Sequence, residues 1–266
     1  MKEFITRTTT AFILIAFAYA IIKFIPPLYF SAFLFIIIGM GAMELLKLTN
    51  PVTQSPILIF LSGLVIALSF TLGKPDMSMS IIIIMISFGI YFLFSIRKKE
   101  NLETFVRDFG IHFLIIFYLY VPLYYMFKLK KLDPNFLFFL IFVIAIGDSF
   151  AYFLGKAFGK TKIYPVASPK KSLQGLIASI VFAGASGWLS IIIFPVKVNP
   201  WIAVATGAIM GLFSQLSDPI ESLFKRAANK KDSSSLLPGH GGVLDRVDSY
   251  IFCAPALYYI IQYFWR

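Results

Sequence analysis

Residues 109–127 read FGIHFLIIFYLYVPLYYMF, a run with one histidine and no Asp, Glu, Lys or Arg. Its length approaches the roughly 20 apolar residues that carry an α-helix across a bilayer. Working outward, 80–96 (SIIIIMISFGIYFLFSI) and 11–25 (AFILIAFAYAIIKFI) have the same character. A transmembrane barrel would instead show short segments of alternating polarity. The chain of 266 residues is 59% apolar and 17% aromatic, with a mean hydropathy of +0.83, more than a soluble core requires. The fold class expected is therefore all-α, a polytopic integral membrane protein.

Apolar runs between charged or Pro/Gly breaks give about nine transmembrane helices, at 10–26, 28–46, 55–73, 78–96, 109–127, 135–155, 173–195, 201–217 and 249–265. The Pro26–Pro27 pair makes the first break. No linker or internal repeat stands out. The expectation is one integral membrane domain over 1–266, with about five helices in 1–134 and the catalytic helices and loops in 135–266. The opening MKEFITRTTTAFILIAFAYA imitates a signal peptide, but further apolar segments follow at once, so a retained first helix is expected.

Charge orients this scheme. Alternating sides at each of nine helices puts 17 of the 24 Lys and Arg on the side of the N-terminus and six on the other, with Lys23 inside a helix. The positive-inside rule then puts the N-terminus in the cytoplasm and the C-terminus outside. The two most polar connections, 156–172 and 218–248, both fall on the cytoplasmic face. The formal charge of +11 is spread between apolar runs rather than along one soluble face, so membrane lipids or a phosphorylated substrate are expected as partners and nucleic acid is not.

Single Cys253 excludes an intramolecular disulfide and a multi-thiolate metal site, and His112 and His240 are too far apart to suggest a clustered zinc site. Any metal would be held mainly by oxygen. Five of the 13 acidic residues, Asp218, Glu221, Asp232, Asp245 and Asp248, lie between 218 and 248. In a continuing helix Asp218, Glu221 and Lys225 share a face at i, i+3, i+7, although Pro219 suggests a break or kink there. Asp245 and Asp248 fall on the opening turns of the last helix, where carboxylates suit the positive helix end.

Two such pairs can converge on a hard cation such as Mg2+, which takes carboxylate, water and phosphate oxygens. The plainer alternative is a solvated loop with helix caps. Favouring the site are Lys225, Arg226, Lys230, Lys231 and Arg246, suited to phosphate, and the PGHGG backbone of 238–242, able to approach one closely. His240 between glycines is either a phosphate or nucleotide donor or a brace for the loop.

Upstream, GDSFAYFLGKAFGKTKIYPVASPKKSLQG (147–175) places Asp148 near the end of an apolar helix, where an ionisable group costs about 2.5–3.5 kcal/mol unless paired or wet. Asp148, Tyr152, Gly155 and Gly159 recur at helical spacing, so Asp148 is expected to face other helices. Pairing with a basic residue is its structural alternative. The Gly-Lys and Ser-Pro-Lys-Lys-Ser elements have the composition of phosphate-contacting loops, but the spacing is not that of a Walker motif.

The run SLFKRAANKKDSSSLLPGHGGVLDRVDS (222–249) closely resembles the signature of the phosphatidate cytidylyltransferases, or CDP-diacylglycerol synthases. The matching residues are Ser222, Lys225, Arg226, Lys231, Asp232, Pro238, His240, Gly241, Gly242, Asp245, Arg246 and Asp248. The upstream GD..AY..GK..GK...SPKKS also looks like that family. Gln174 stands where Glu is common in the family, and Ser217 where Gly commonly precedes the first aspartate.

The resemblance implies transfer of CMP from CTP to phosphatidic acid, giving CDP-diacylglycerol and pyrophosphate. By the matching motifs it implies Asp218, Glu221, Asp245 and Asp248 as Mg2+ ligands, with Asp218 and Asp245 foremost and a second cation admissible. Lys225, Arg226 and Arg246 are implied as partners of triphosphate or lipid phosphate, with Asp148, Ser168, Lys170, Lys171, Ser222, His240, Gly241 and Gly242 around the substrates. A homodimer is implied by analogy alone. The attacking lipid phosphate oxygen is already anionic at neutral pH, so the chemistry asks for cations and in-line positioning rather than a strong base. The site would sit at the cytoplasmic face of the cytoplasmic (inner) membrane. The competing readings are a CTP-dependent polyprenol or phytol kinase, which would release CDP, and an ion or phosphate transporter, for which paired broken helices in two halves would be expected.

Overall fold

The structure, a computed structural model, describes residues 16–52, 54–72, 77–96, 102–236 and 241–265. The described residues form helices joined by loops, with an antiparallel bridge between Lys162 and Ser172. After a helical segment at 16–24 come α1 (Pro27–Thr49), α2 (Pro56–Leu72), α3 (Met77–Ser95), α4 (Phe105–Leu132), α5 (Pro134–Phe158), α6 (Leu173–Ile193), α7 (Pro200–Ala227) and α8 (Leu244–Phe264). Five of them, α1 and α4 to α7, are long and apolar enough to cross a membrane, and α2 and α3 are shorter apolar helices. The expected run at 10–26 is described only from residue 16. Proline opens α1, α5 and α7, where its missing N–H belongs to an amide that has no helical partner in any case.

The chain divides into two compact units, 1–127 with 232–245, and 128–231 with 246–266. The first is held by aromatic packing. Phe88 and Phe92 of α3 meet Phe109 and the His112 ring edge-on or tilted, and both phenylalanines are fully buried. His112 accepts from the Ser55 amide through Nε2 at 3.1 Å and donates through Nδ1 to the Asp108 carbonyl at 2.7 Å. That pattern requires the neutral ring and fixes its tautomer. Asp108 in turn accepts from the Val52 amide, so one turn of α4 anchors the α1–α2 connection. Within α4 the turn Ile116–Tyr120 is π-helical. Pro122 cannot donate to the Tyr118 carbonyl, which favours this local widening.

The second unit is packed through small residues. A Cβ on Gly187 would come within 2.3 Å of the Ala203 carbonyl oxygen, and one on Gly207 within 2.3 Å of that of Ala183. The α6 and α7 backbones therefore touch, the arrangement small residues permit between apolar helices. At its far end Trp265 donates to Thr206 at 3.1 Å and packs edge-on to Phe136 and Phe139.

The break expected at Pro219 is not made: α7 is one helix of 28 residues with Pro219 inside it. At 1.5 Å per residue, about 20 residues from Pro200 would traverse the roughly 30 Å hydrocarbon core. Asp218 falls at that limit, and Glu221, Lys225 and Arg226 lie beyond it.

Candidate active site

Because α7 continues through Pro219, the i, i+3, i+7 face of Asp218, Glu221 and Lys225 is preserved. Glu221 and Lys225 form an ion pair along the helix, and both are buried. Asp248, on the second turn of α8, joins them. One carboxylate oxygen each from Asp218, Glu221 and Asp248 lie within 4.8 Å of one another. Ser217 donates to the Asp248 backbone carbonyl, fixing that turn of α8 against α7. This gives the unusual Ser217 a local purpose, since a glycine there would lack the hydroxyl.

The loop before α6 reaches the same cluster. Lys171 Nζ lies 2.9 Å from Asp218 Oδ2. The loop is braced from several directions. Gln174 Oε1 accepts from the Lys160 and Thr161 amides at 3.1 and 3.4 Å, Ser172 caps α6 by accepting from the Gly175 amide, and Arg226 donates to the Ala167 carbonyl. Thus Gln174 serves this loop as an acceptor, a task its neutral amide performs without a carboxylate. Ser168 lies in the turn and accepts through its carbonyl from the Lys171 amide, while Lys170 is exposed.

Asp148 accepts from Ser214 Oγ and from Gln215 Nε2 at 2.8 Å, and it lies within electrostatic reach of Lys171 and Asp218. It does face neighbouring helices. Its hydrogen-bond partners are neutral, not the basic residue considered from sequence, and Tyr152 one turn on is 62% exposed. Tyr250 feels Asp148, Asp248 and Arg246 from α8, and Arg246 itself is exposed. Ser222 donates to Asp218 Oδ1 at 3.4 Å.

Electrostatics decides what this arrangement can hold. Two carboxylates about 4.8 Å apart repel by roughly 3–4 kcal/mol at an effective dielectric near 20. Asp218, Glu221 and Asp248 make three such pairs, and Lys171 and Lys225 oppose them with ion pairing or close approach. A hard divalent ion fits this donor set: clustered oxygens, a largely buried position and a residual negative charge.

The signature's other half is placed in the first unit. Asp245, in the opening turn of α8, accepts through Oδ2 from the Ser233 amide (2.9 Å), Ser233 Oγ (2.7 Å) and the Gly242 amide (2.8 Å). Gly241 has φ +77°, and a Cβ there would lie 2.6 Å from Asp245 Oδ2. These two glycines therefore let the backbone close around a carboxylate of the chain itself. His240 lies outside the described residues.

Sequence reasoning passed over Glu44. Buried in α1, it accepts from Ser234 Oγ and the Val243 amide through Oε1, and from the Leu244 amide through Oε2, which also shares the Ser233 hydroxyl with Asp245. It caps α8 from 200 residues away. The available signal was an acidic residue within the apolar run MGAMELL, which is costly in a membrane unless it has partners. Ser214, Gln215 and Tyr250 were likewise unmarked, being ordinary residue types whose roles depend on the packing of α5, α7 and α8.

Residues 5–264 match the model of a family described as the cytidylyltransferase family. A Bacillus subtilis protein named phosphatidate cytidylyltransferase is 34% identical over 168 residues, which is 62% of each chain. Proteins of the same name from Staphylococcus aureus and Staphylococcus saprophyticus are 38% and 33% identical over 52–53% of this chain and 54–55% of their own lengths. The aligned segments thus span about half to six-tenths of these relatives. The family match covers nearly the whole chain and includes both the SPKKS loop and the acidic signature: the chain belongs to the cytidylyltransferase family.

Proposed function

We propose that the protein transfers CMP from CTP to phosphatidic acid, forming CDP-diacylglycerol and releasing pyrophosphate. The observation that carries this reading is the Asp218–Glu221–Asp248 cluster, half-buried at Asp218 and buried at the other two, with Lys171 and Lys225 paired into it, near the level at which α7 would leave the hydrocarbon core. A lipid phosphate and a triphosphate are both anions, one confined to the interface and the other to water. A reaction between them needs cations at that level more than it needs a base.

In this reading a phosphatidate oxygen attacks the α-phosphorus of CTP, the new P–O bond forms there, and the bond to the β-phosphate breaks in line to release pyrophosphate. Asp218, Glu221 and Asp248 would hold Mg2+, which when bound supplies charge neutralisation at the reacting phosphates. Asp245 fixes the Gly241–Gly242 turn and, by its place in the motif, is proposed as a further Mg2+ ligand. Lys171, Lys225, Arg226 and Arg246 neutralise triphosphate and lipid phosphate oxygens. Ser168, Lys170 and Ser222 line the approach, Asp148 orients the cluster through its electrostatic contact with Lys171, and His240, Gly241 and Gly242 belong to the substrate loop. The 17-to-6 division of basic residues supports a cytoplasmic N-terminus, an outer C-terminus and a site on the cytoplasmic face of the inner membrane. A homodimer follows only from analogy with the family.

The test is incubation of purified protein with labelled CTP, phosphatidic acid and Mg2+. The expected products are lipid-linked CMP and one pyrophosphate per turnover. Release of CDP with a phosphorylated lipid would replace this reading with that of a lipid kinase, and no lipid product at all would overturn it.

A further inference from the structure

Lys171 stands between two carboxylates of different kinds. One is Asp218 of the acidic cluster, 2.9 Å from its Nζ; the other is Asp148 of α5, within electrostatic reach. An ammonium group carries three N–H donors. Nζ itself is buried, and among the described residues it makes no aligned hydrogen bond, so its contact with Asp218 is one of charge alone. Asp148 has the matching surplus. Ser214 and Gln215 both donate to its Oδ1, and among the described residues Oδ2 accepts from no donor.

The backbone of Lys171 is held, and its side chain is not. Its amide donates to the Ser168 carbonyl at 3.0 Å, and its carbonyl accepts from the Ile163 amide at 3.4 Å. The next residue, Ser172, packs on α5, where a Cβ on Gly155 would lie 3.2 Å from Ser172 Oγ. The four-carbon stem of a lysine keeps its choice of rotamers and ends in a compact charge without a fixed bonding direction. A move between the two carboxylates therefore needs no movement of the chain.

A cation held by the cluster supplies the reason to move. Mg2+ lies about 2.0–2.1 Å from its ligand oxygens. An ammonium on the same Asp218 carboxylate would then sit a few ångströms from a divalent charge, and like charges so close repel strongly. Asp218 is also the open edge of the cluster, its side chain 35% exposed against 0% for Glu221, so Lys171 stands where a cation arrives. We infer that Lys171 is the resident counter-ion of the cluster, competing with the metal for Asp218, and that Asp148 is a positioning residue that receives Lys171 when the metal binds. The inference rests on the metal-binding reading of the cluster proposed above. It gives a use to an ionisable group kept in an apolar helix with only neutral hydrogen-bond partners, a costly placement otherwise.

The full chain in detergent micelles, without CTP or lipid substrate, is titrated with Mg2+ by calorimetry. Asp218→Asn should abolish binding. Lys171→Met should tighten it severalfold while lowering CMP transfer, a split that a merely structural lysine would not produce, and Lys171→Arg, which keeps the charge, should leave the affinity close to that of the unmutated protein. Asp148→Asn should weaken binding severalfold, yet have no effect when added to Lys171→Met, because it acts only through the lysine. Equal weakening in both backgrounds would mean that Asp148 acts by its own charge and would overturn its role as receiver. Reductive methylation of Lys171, read by mass spectrometry, tests the move without Lys171→Met. Saturating Mg2+ should leave the lysine protected in the unmutated protein and reactive in Asp148→Asn, and equal reactivity in the two would overturn the transfer. Binding that Asp218→Asn abolishes but Lys171→Met does not tighten would overturn the competition alone. No Mg2+ binding at all would overturn the reading of the cluster and this inference with it.

Discussion

Two sets of carboxylates in this protein are built on opposite principles. Glu44 accepts from the Val243 and Leu244 amides and the Ser234 hydroxyl, and it shares the Ser233 hydroxyl with Asp245. Asp218, Glu221 and Asp248 instead crowd one another, with two lysines set against three negative charges. A satisfied carboxylate holds a loop; a cluster of crowded ones is proposed to hold a cation. Both places use carboxylates, and the surrounding donors make the difference.

The largest expected effect separates the two sets by activity. Asp218→Asn or Asp248→Asn should lower CMP transfer by roughly a hundredfold or more, the scale seen when a group stabilising transition-state charge is removed. The same changes relieve repulsion, so melting in the absence of metal should stay level or rise. A variant that loses activity and also melts well below the unmutated protein would place these acids with Glu44 as structural.

Glu44→Ala should do the converse on stability. It leaves the Val243 and Leu244 amides and the Ser234 hydroxyl without their acceptor, at about 1–3 kcal/mol for a buried group, which a thermal melt and limited proteolysis within 232–245 would register. Gly242→Ala probes the same anchor from the other side. Its Cβ would lie 2.1 Å from Ser233 Oγ and 2.4 Å from Glu44 Oε2, so a loss of about 1–3 kcal/mol is expected. Equal stability in both variants would remove the contrast between the regions.

Mg2+ tests the comparison more gently. Added at a hundredfold excess over its dissociation constant, it should stabilise the unmutated protein by about 2.7 kcal/mol. Glu44→Ala should keep that increment from its lower baseline, and Asp218→Asn should lose it. The smallest effect is expected at Gln174, where replacement by Ala removes two loop hydrogen bonds worth about 1 kcal/mol each at most. Gln174→Glu keeps the acceptor, and its activity should stay within a fewfold of the unmutated protein.

Much of this was legible from the chain. Helix positions followed from apolar runs because a bilayer imposes a length, and α1 to α8 fall on those runs within several residues. The shared face of Asp218, Glu221 and Lys225 followed from helical periodicity. The helix end at 217 did not, because Pro219 removes one amide yet neighbouring packing keeps the remaining turns in register. Gly241 and Gly242 were readable as points of close backbone approach, but a phosphate was the expected guest, whereas the structure puts Asp245 and Glu44 there. Glu44 itself was hidden by distance: no local pattern links residue 44 to residues 233–244.

The sequence by itself determined the class of fold, the residue types of the site and the reaction they resemble, since hydropathy, periodicity and an ordered motif are properties of neighbours along the chain. Only the tertiary structure decided which carboxylates share charge and which are satisfied. That depends on donors brought from other helices, and an ionised oxygen's energy is set by whatever lies within a few ångströms of it, however far away in sequence.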